Sequence, residues 1–242
     1  VIKIENKTAE GDITRSWKLA SEDPNHPFSA YYSSVNYGKK SLFIDLKTKE
    51  GQFELKKHLQ HADIVICNFK PGDAKKLALD FKTIKQLNPA IIYGEIVGFP
   101  NSTRLAYDVV LQAESGFLGM SGTTNGELAK MPVALIDVLA AHQLKEGILL
   151  ALRHQQKNKK AIKVSVSLFN AALAALVNQA SNWLMAKHIA QPIGTLHPNI
   201  APYGELFSCN DQKQLVLAIG TNRQFKSLCD CLELSNLASD DR

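Results

Sequence analysis

Asp137 stands between the segment MPVALI (131–136) and an apolar stretch that begins at Val138. An Asp just ahead of a helix is a favoured N-cap, because its oxygen accepts hydrogen bonds from the first backbone N–H groups. An ionised carboxylate at such a place could also serve as a nucleophile. The two roles are compatible, since a helix N-terminus favours the ionised carboxylate. Lys47 and Lys76 suit phosphate partners, and equally suit a solvated surface. Asn68 follows the apolar run DIVIC (63–67) and is either a turn residue or a polar ligand. Trp17 and Tyr107 fit a substrate pocket or a core equally well. His142 would point to a different helix face from Asp137. His197 lies where a lid residue would stand, in the Pro- and Gly-dense segment 191–204.

The elements that must position these residues follow from periodicity. VIKIE (1–5) alternates like a strand, residues 6–35 are polar and irregular, and SLFIDL (41–46) is a second strand. A helix is predicted from about Thr48, with Phe53, Leu55, Leu59 and Ala62 on its apolar side. DIVICNF (63–69) is a buried strand that ends in the turn Lys70-Pro71-Gly72. One helix then carries Leu77, Phe81, Ile84 and Leu87, and stops at Asn88-Pro89 because proline disfavours helix in the residue before it. AIIYGEIVGF (90–99) is a further strand. Strands alternating with helices at this spacing predict an α/β fold with a Rossmann-like parallel sheet. Ligands of such sheets sit beyond the carboxyl ends of the strands, here Asp45–Lys47, Asn68–Gly72 and Gly98 onward.

Residues 106–120, 138–153 and 170–188 are predicted helical, and IKVSVSLF (162–169) a strand. MPVALI reads as strand-like. GELFSC and QLVLAIG form a hairpin around NDQK (210–213). The change of character near residue 200 divides a large α/β domain, 1–200, from the beginning of a smaller α+β domain, 201–242.

Composition narrows the class. The 242 residues carry 28 Lys and Arg against 23 Asp and Glu, a formal charge of +5, with the basic residues spread along the chain apart from one run, Lys157 to Lys160. The pattern lacks the aromatic-interleaved basic patch of a nucleic-acid binder and suits a phosphate-rich small anion. No apolar run approaches the roughly 18 residues that span a bilayer. Cys67, Cys209, Cys229 and Cys231 fit neither a zinc site nor a disulfide framework. A buried free thiol at Cys67 and a reducing, cytoplasmic compartment are the expectation.

Several short pieces recur in a fixed order: Gly11-Asp12, Thr14-Arg15 and Trp17; Asn36 to Ser41; Asp45-Leu46-Lys47; Ala62-Asp63; Asn68-Phe69; Pro71-Gly72; and Asn88-Pro89. Ala106-Tyr107-Asp108, Gln112-Ala113, Ser115-Gly116, Asp137-Val138, His197 to Ile200 and Pro202-Tyr203 continue the order. In sequence and spacing the chain resembles the class III coenzyme A transferases, the CaiB/BaiF family that includes formyl-CoA transferase. The resemblance implies that Asp137 is the nucleophile moving CoA between a thioester and a free acid. It implies CoA contacts at Ile44, Asp45, Leu46, Lys47, Asn68, Phe69, Lys70, Lys76, Leu105, Ala106, Tyr107 and Asp108, with Trp17 and Tyr107 shaping the acyl pocket.

The resemblance implies no tightly bound cofactor and no metal; acyl-CoA and a small carboxylic acid are substrates, and neither nucleic acid nor membrane is a partner. It also implies an interlocked homodimer. Relative to the family pattern the chain begins after a first strand and helix and stops inside the small domain, so residues 1–242 alone are expected to be poorly soluble and inactive. Two alternatives stand beside the transferase. One is an acyl-CoA racemase of the same superfamily; those enzymes use a His where this chain has Tyr107, whose phenol is a poor base at neutral pH. The other is a non-catalytic CoA-binding module.

Overall fold

The computed structural model describes residues 1–200 and 203–240. In chain order the elements are β1 (Ile2–Asn6), α1 (Ala30–Asn36), β2 (Lys40–Ile44), α2 (Lys49–Gln60), β3 (Ile64–Cys67), α3 (Asp73–Lys76), α4 (Phe81–Leu87) and β4 (Ile92–Val97). They continue as α5 (Asp108–Glu114), α6 (Phe117–Met120), α7 (Leu135–Gln155), β5 (Ile162–Ser167), α8 (Leu168–Ala174), α9 (Asn178–Ala186), β6 (Tyr203–Ser208), β7 (Gln214–Ala218) and α10 (Asn222–Cys231). The chain forms two compact units, Val1–Val97 with Leu144–Ser165, and Gly98–Gln143 with the chain from Val166 onward. The predicted domain junction abuts Ala201 and Pro202, which lie outside the described residues.

The first unit is mixed α/β with parallel strand pairs. β1 and β2 run parallel from Ile2↔Lys40 to Asn6↔Ile44, and β3 and β4 from Ile64↔Ile92 to Cys67↔Glu95. β5 lies beside β4, where Ile162 N–H donates to the Ile91 carbonyl at 3.0 Å. Ile91, Ile92 and Tyr93 are all fully buried, as expected of a strand in a sheet covered on both faces. Ile44, Leu55, Leu59, Leu79, Ile84, Ile91 and Tyr93 make one core. Local signals start and stop the helices. Thr48 caps α2 by accepting from Gly51 N–H at 3.0 Å, Asp80 caps α4 through Lys82 and Thr83, and α4 ends at Leu87 before Asn88-Pro89.

The segment after β1 is better organised than its polar composition predicts. Glu5 is buried and takes a bidentate pair from Arg15, Nε to Oε2 at 2.8 Å and Nη2 to Oε1 at 2.7 Å. Tyr32 Oη donates to Glu5 Oε1 at 2.8 Å, and Asp12 N–H to Oε2 at 2.9 Å. Arg15 above all, and then Ser41, Asp12 and Tyr32, hold the Glu5 carboxyl well below its usual range against the opposing effect of burial.

In the second unit, Phe99, Leu111, Ile136 and Ala172 form the core, with Ala106, Phe117, Leu139, Leu168 and Phe169 packed on it. Gly98 permits this, since a Cβ there would lie 2.5 Å from the Ala106 methyl. Ser167 caps α8 by accepting from Asn170 N–H at 3.3 Å. The predicted hairpin is present as β6 and β7, which pair antiparallel from Ser208↔Gln214 to Tyr203↔Ala218.

Four expectations are corrected. The helix predicted through Leu77–Leu87 is two, α3 and α4, because Ala78 turns left-handed (φ 55°) so that Leu79 enters the core and its carbonyl accepts from Tyr93 Oη at 3.0 Å. Phe53, placed on the apolar face of α2, is 64% exposed, with Lys57 Nζ 4.5 Å from its ring centroid. The stretches 106–120 and 170–188 each divide into two helices, at Gly116 (φ 92°) and around Val177 (φ 46°). MPVALI is not a strand: α7 already begins at Leu135. Among the described residues no helix is long and apolar enough to cross a membrane.

Candidate active site

Asp137 lies in the first turn of α7, one turn deeper into the helix than an N-cap. The residue as a whole is exposed, while its carboxyl is partly enclosed by neighbouring atoms. The cap is provided instead by Asp108, from the first turn of α5. Asp108 Oδ2 accepts from Ile136 N–H at 2.7 Å and from Asp137 N–H at a longer 3.4 Å. Two of the amides that a helix start leaves without an intrahelical partner are thereby satisfied by a residue 28 and 29 positions upstream of them. The anchoring is firm because Leu111 of α5 and Ile136 of α7 share the buried core of this unit.

The electrostatic consequence falls on Asp137. Partial burial, and secondarily the negative charge of Asp108, push its carboxyl above the ordinary aspartate value. Its place at the positive end of a 21-residue helix works in the opposite direction on its charge. A carboxylate made more basic in this way is the better nucleophile while it stays ionised.

Tyr107 occupies the N-cap position of α5 without a side-chain cap, and its ring is exposed, as is Leu105; Ala106 is half-buried against the core. Of the residues predicted for the site, Tyr107, Asp108 and Asp137 are thus brought to one place by the packing of α5 and α7. Gln112, which the sequence marks only as part of Gln112-Ala113, stands at the centre of the network that holds Asp108, accepting from Met131 N–H and donating to Asp108. The Asp108–Gln112 spacing of four on a helix is the signal that could have paired them.

The other residues expected to contact CoA or shape the acyl pocket belong to the first unit. Ile44 is buried, and Leu46 and Phe69 pack on the same core, which leaves backbone rather than side chain at the strand ends. Asp45 folds back to accept from Lys47 N–H at 2.9 Å, and Lys47 and Asn68 are exposed. Gly51 lets α2 start tight against this turn, since a Cβ there would lie 2.0 Å from the Asp45 carbonyl oxygen. Phe69, Lys70, Pro71 and Gly72, with Tyr93 and Glu95, line a concavity of about 110 Å³ beyond the ends of β3 and β4. Cys67 also borders it; the thiol is half-buried, donates to Tyr93 Oη at 3.1 Å and is pushed above its usual pKa by burial. Lys76 is exposed and paired with Asp73 at 3.0 Å. Trp17 is half-exposed and makes an edge contact with Tyr31, ring centroids 5.0 Å apart.

The family profile of CoA-transferase family III matches residues 1–242. A succinate–glutarate CoA-transferase of Agrobacterium fabrum is 35% identical over the whole of this chain and 62% of its own length. A human succinyl-CoA:glutarate CoA-transferase is 32% identical over the whole chain and 55% of its own length. The crystal structure of a CaiB/BaiF family protein from Brucella suis superimposes with a TM-score of 0.83 at 33% identity, covering all of this chain and 64% of that one. The chain therefore spans rather more than half the length of these relatives. Matched by the profile from its first residue to its last, in sequence and in fold, the chain belongs to CoA-transferase family III.

Proposed function

We propose that the full-length protein is a CoA transferase that moves CoA from an acyl-CoA thioester to a free carboxylic acid through covalent intermediates on Asp137. The observation that carries this reading is Asp137 itself, a surface residue held in the first turn of α7 by an acidic cap, with a partly enclosed carboxyl made more basic by its surroundings. Asp137 attacks the donor carbonyl and expels CoA thiolate, leaving a mixed anhydride. The thiolate attacks the aspartyl carbonyl, releasing the donor acid and leaving an aspartyl–CoA thioester. The acceptor carboxylate attacks the same carbonyl and expels the thiolate again, which takes the acyl group from the new anhydride and restores Asp137. Each step exchanges one acyl bond for another, so no ATP is consumed.

The strand-end residues Ile44–Lys47 and Asn68–Lys70, with Lys76 and Leu105–Asp108, are proposed to hold CoA, and Trp17 and Tyr107 to shape the acyl pocket. Relatives named for succinate, glutarate and oxalate support a short dicarboxylic acid as acceptor. A homodimer, with residues from 201 onward opening its smaller domain, completes the reading. The test is mass spectrometry of the full-length protein mixed with a panel of acyl-CoAs and quenched with hydroxylamine. A hydroxamate on Asp137 is expected; turnover without modification of Asp137 overturns the assignment.

A further inference from the structure

Gln112 is 1% exposed, and both ends of its amide are engaged. Nε2 donates to Asp108 Oδ1, while Oε1 accepts from Met131 N–H at 2.9 Å. The orientation of the amide is dictated by its partners, since a carboxylate only accepts and a backbone N–H only donates. The other oxygen of Asp108 is the one that caps Ile136 and Asp137. One buried side chain therefore ties three things together: the acidic cap, the segment that leads into α7, and through the cap the first turn that carries Asp137. Neither Glu nor Met could replace it. Ionised Glu would face Asp108 with a like charge, and Met would strand a buried acceptor and a buried donor.

We infer that Gln112 is a positioning residue for Asp137, fixing where α7 begins by holding Asp108 in its capping rotamer and Met131 at the helix entrance. The inference rests on Asp137 being the nucleophile. A displacement of the order of 1 Å at a reacting group costs roughly 10²-fold in rate. The loss should fall on kcat, with KM for acyl-CoA little changed, because Gln112 is enclosed and offers no surface to substrate.

The experiment uses the full-length protein, Gln112→Met and Gln112→Glu, with two readouts. One is the rate of hydroxamate formation at Asp137. The other is hydrogen exchange resolved to single amides by mass spectrometry. In the wild type the Ile136 amide should exchange slowly, although amides in a first helical turn ordinarily exchange fast. Gln112→Met should speed exchange at both Ile136 and Met131 and slow Asp137 labelling by about 10- to 100-fold. Gln112→Glu should free Ile136 while Met131 stays protected, because Glu still accepts from Met131 N–H. Unchanged labelling together with unchanged Ile136 exchange in both variants overturns the inference. Rapid Ile136 exchange in the wild type overturns it as well, whether or not the variants fold. A wild type with a protected Ile136 amide but no label on Asp137 would instead remove the nucleophile assignment, and with it any catalytic meaning for Gln112.

Discussion

The Asp108 carboxylate accepts from the Ile136 backbone N–H at 2.7 Å, so one acidic residue caps the helix on which another, Asp137, is presented. Asp108 supports its neighbour mechanically and opposes it electrostatically, because it anchors the helix while raising the pKa of the Asp137 carboxyl.

Replacement of Asp137 by Ala should abolish transfer in the full-length protein. Removal of the covalent route should cost more than the roughly 10²–10⁴-fold attributable to a general base. Steady-state kinetics with CoA binding measured in parallel check this, and CoA affinity should persist.

Asp108→Asn removes the charge but not the volume. An Asn whose oxygen stays on the Ile136 amide turns its NH2 toward the Gln112 NH2, two donors facing each other, so the variant should also lose roughly 1–3 kcal/mol of stability. Loss of the like charge lowers the Asp137 pKa, and burial, the larger influence, keeps it above the ordinary value. The acid limb of the kcat–pH profile should therefore move to lower pH. An unmoved limb would show that Asp108 does not act on Asp137 through its charge.

Asp137→Asn should raise the melting temperature at neutral pH. A carboxyl whose folded-state pKa is raised binds protons more readily when folded, so its ionisation opposes folding above that pKa. The gain should shrink as pH falls below the raised value and vanish below the ordinary aspartate value of 3.8, where the carboxyl is protonated in both states. Calorimetric scans of wild type and variant across that range check it.

Glu5 has the opposite sign. Its depressed pKa contributes stability that is complete above its ordinary value of 4.5 and is lost as pH falls toward the folded-state value. Arg15→Ala strands a buried carboxylate and should cost roughly 3–5 kcal/mol at pH 7, read from urea denaturation.

For the lysines, Lys47→Ala should weaken CoA binding several-fold at low salt, roughly 1 kcal/mol, and less at high salt. Lys76→Ala should do less, because Asp73 already engages that ammonium at 3.0 Å. Calorimetric titration of the full-length variants with CoA decides it, and Asp73→Asn should tighten binding.

What was legible in the sequence was local. Thr48 and Asn88-Pro89 announce a helix start and stop through bonds that reach only a few residues, and β4 shows itself as an apolar run interrupted only by Glu95. What escaped is held by distant partners. Ala78 bends left-handed because Leu79 is needed in a core assembled from β2, α2 and β4. Glu5 sits in a strand-like alternation where a charge looks solvent-facing, yet Arg15 and Tyr32 enclose it. The N-terminus of α7 is hidden for the same reason. Its cap comes from Asp108 on another helix, so the residues just before Leu135 carry no capping signal and Asp137 is the nearest residue that resembles one.

The 2.0 Å separation between the Asp45 carbonyl and a hypothetical Cβ at position 51 has a consequence for evolution and for mutational scanning. Every amino acid other than glycine places a carbon there, inside van der Waals contact with backbone that has no rotamer to escape into. Position 51 will therefore tolerate no replacement in a saturation library, whichever substrate is used for selection, and Gly51→Ala should be lost from the folded pool before catalysis is tested. Intolerance at that position reports a steric veto on side chains. It will sit a few residues from Lys47 in any such map and must not be scored as part of the chemistry.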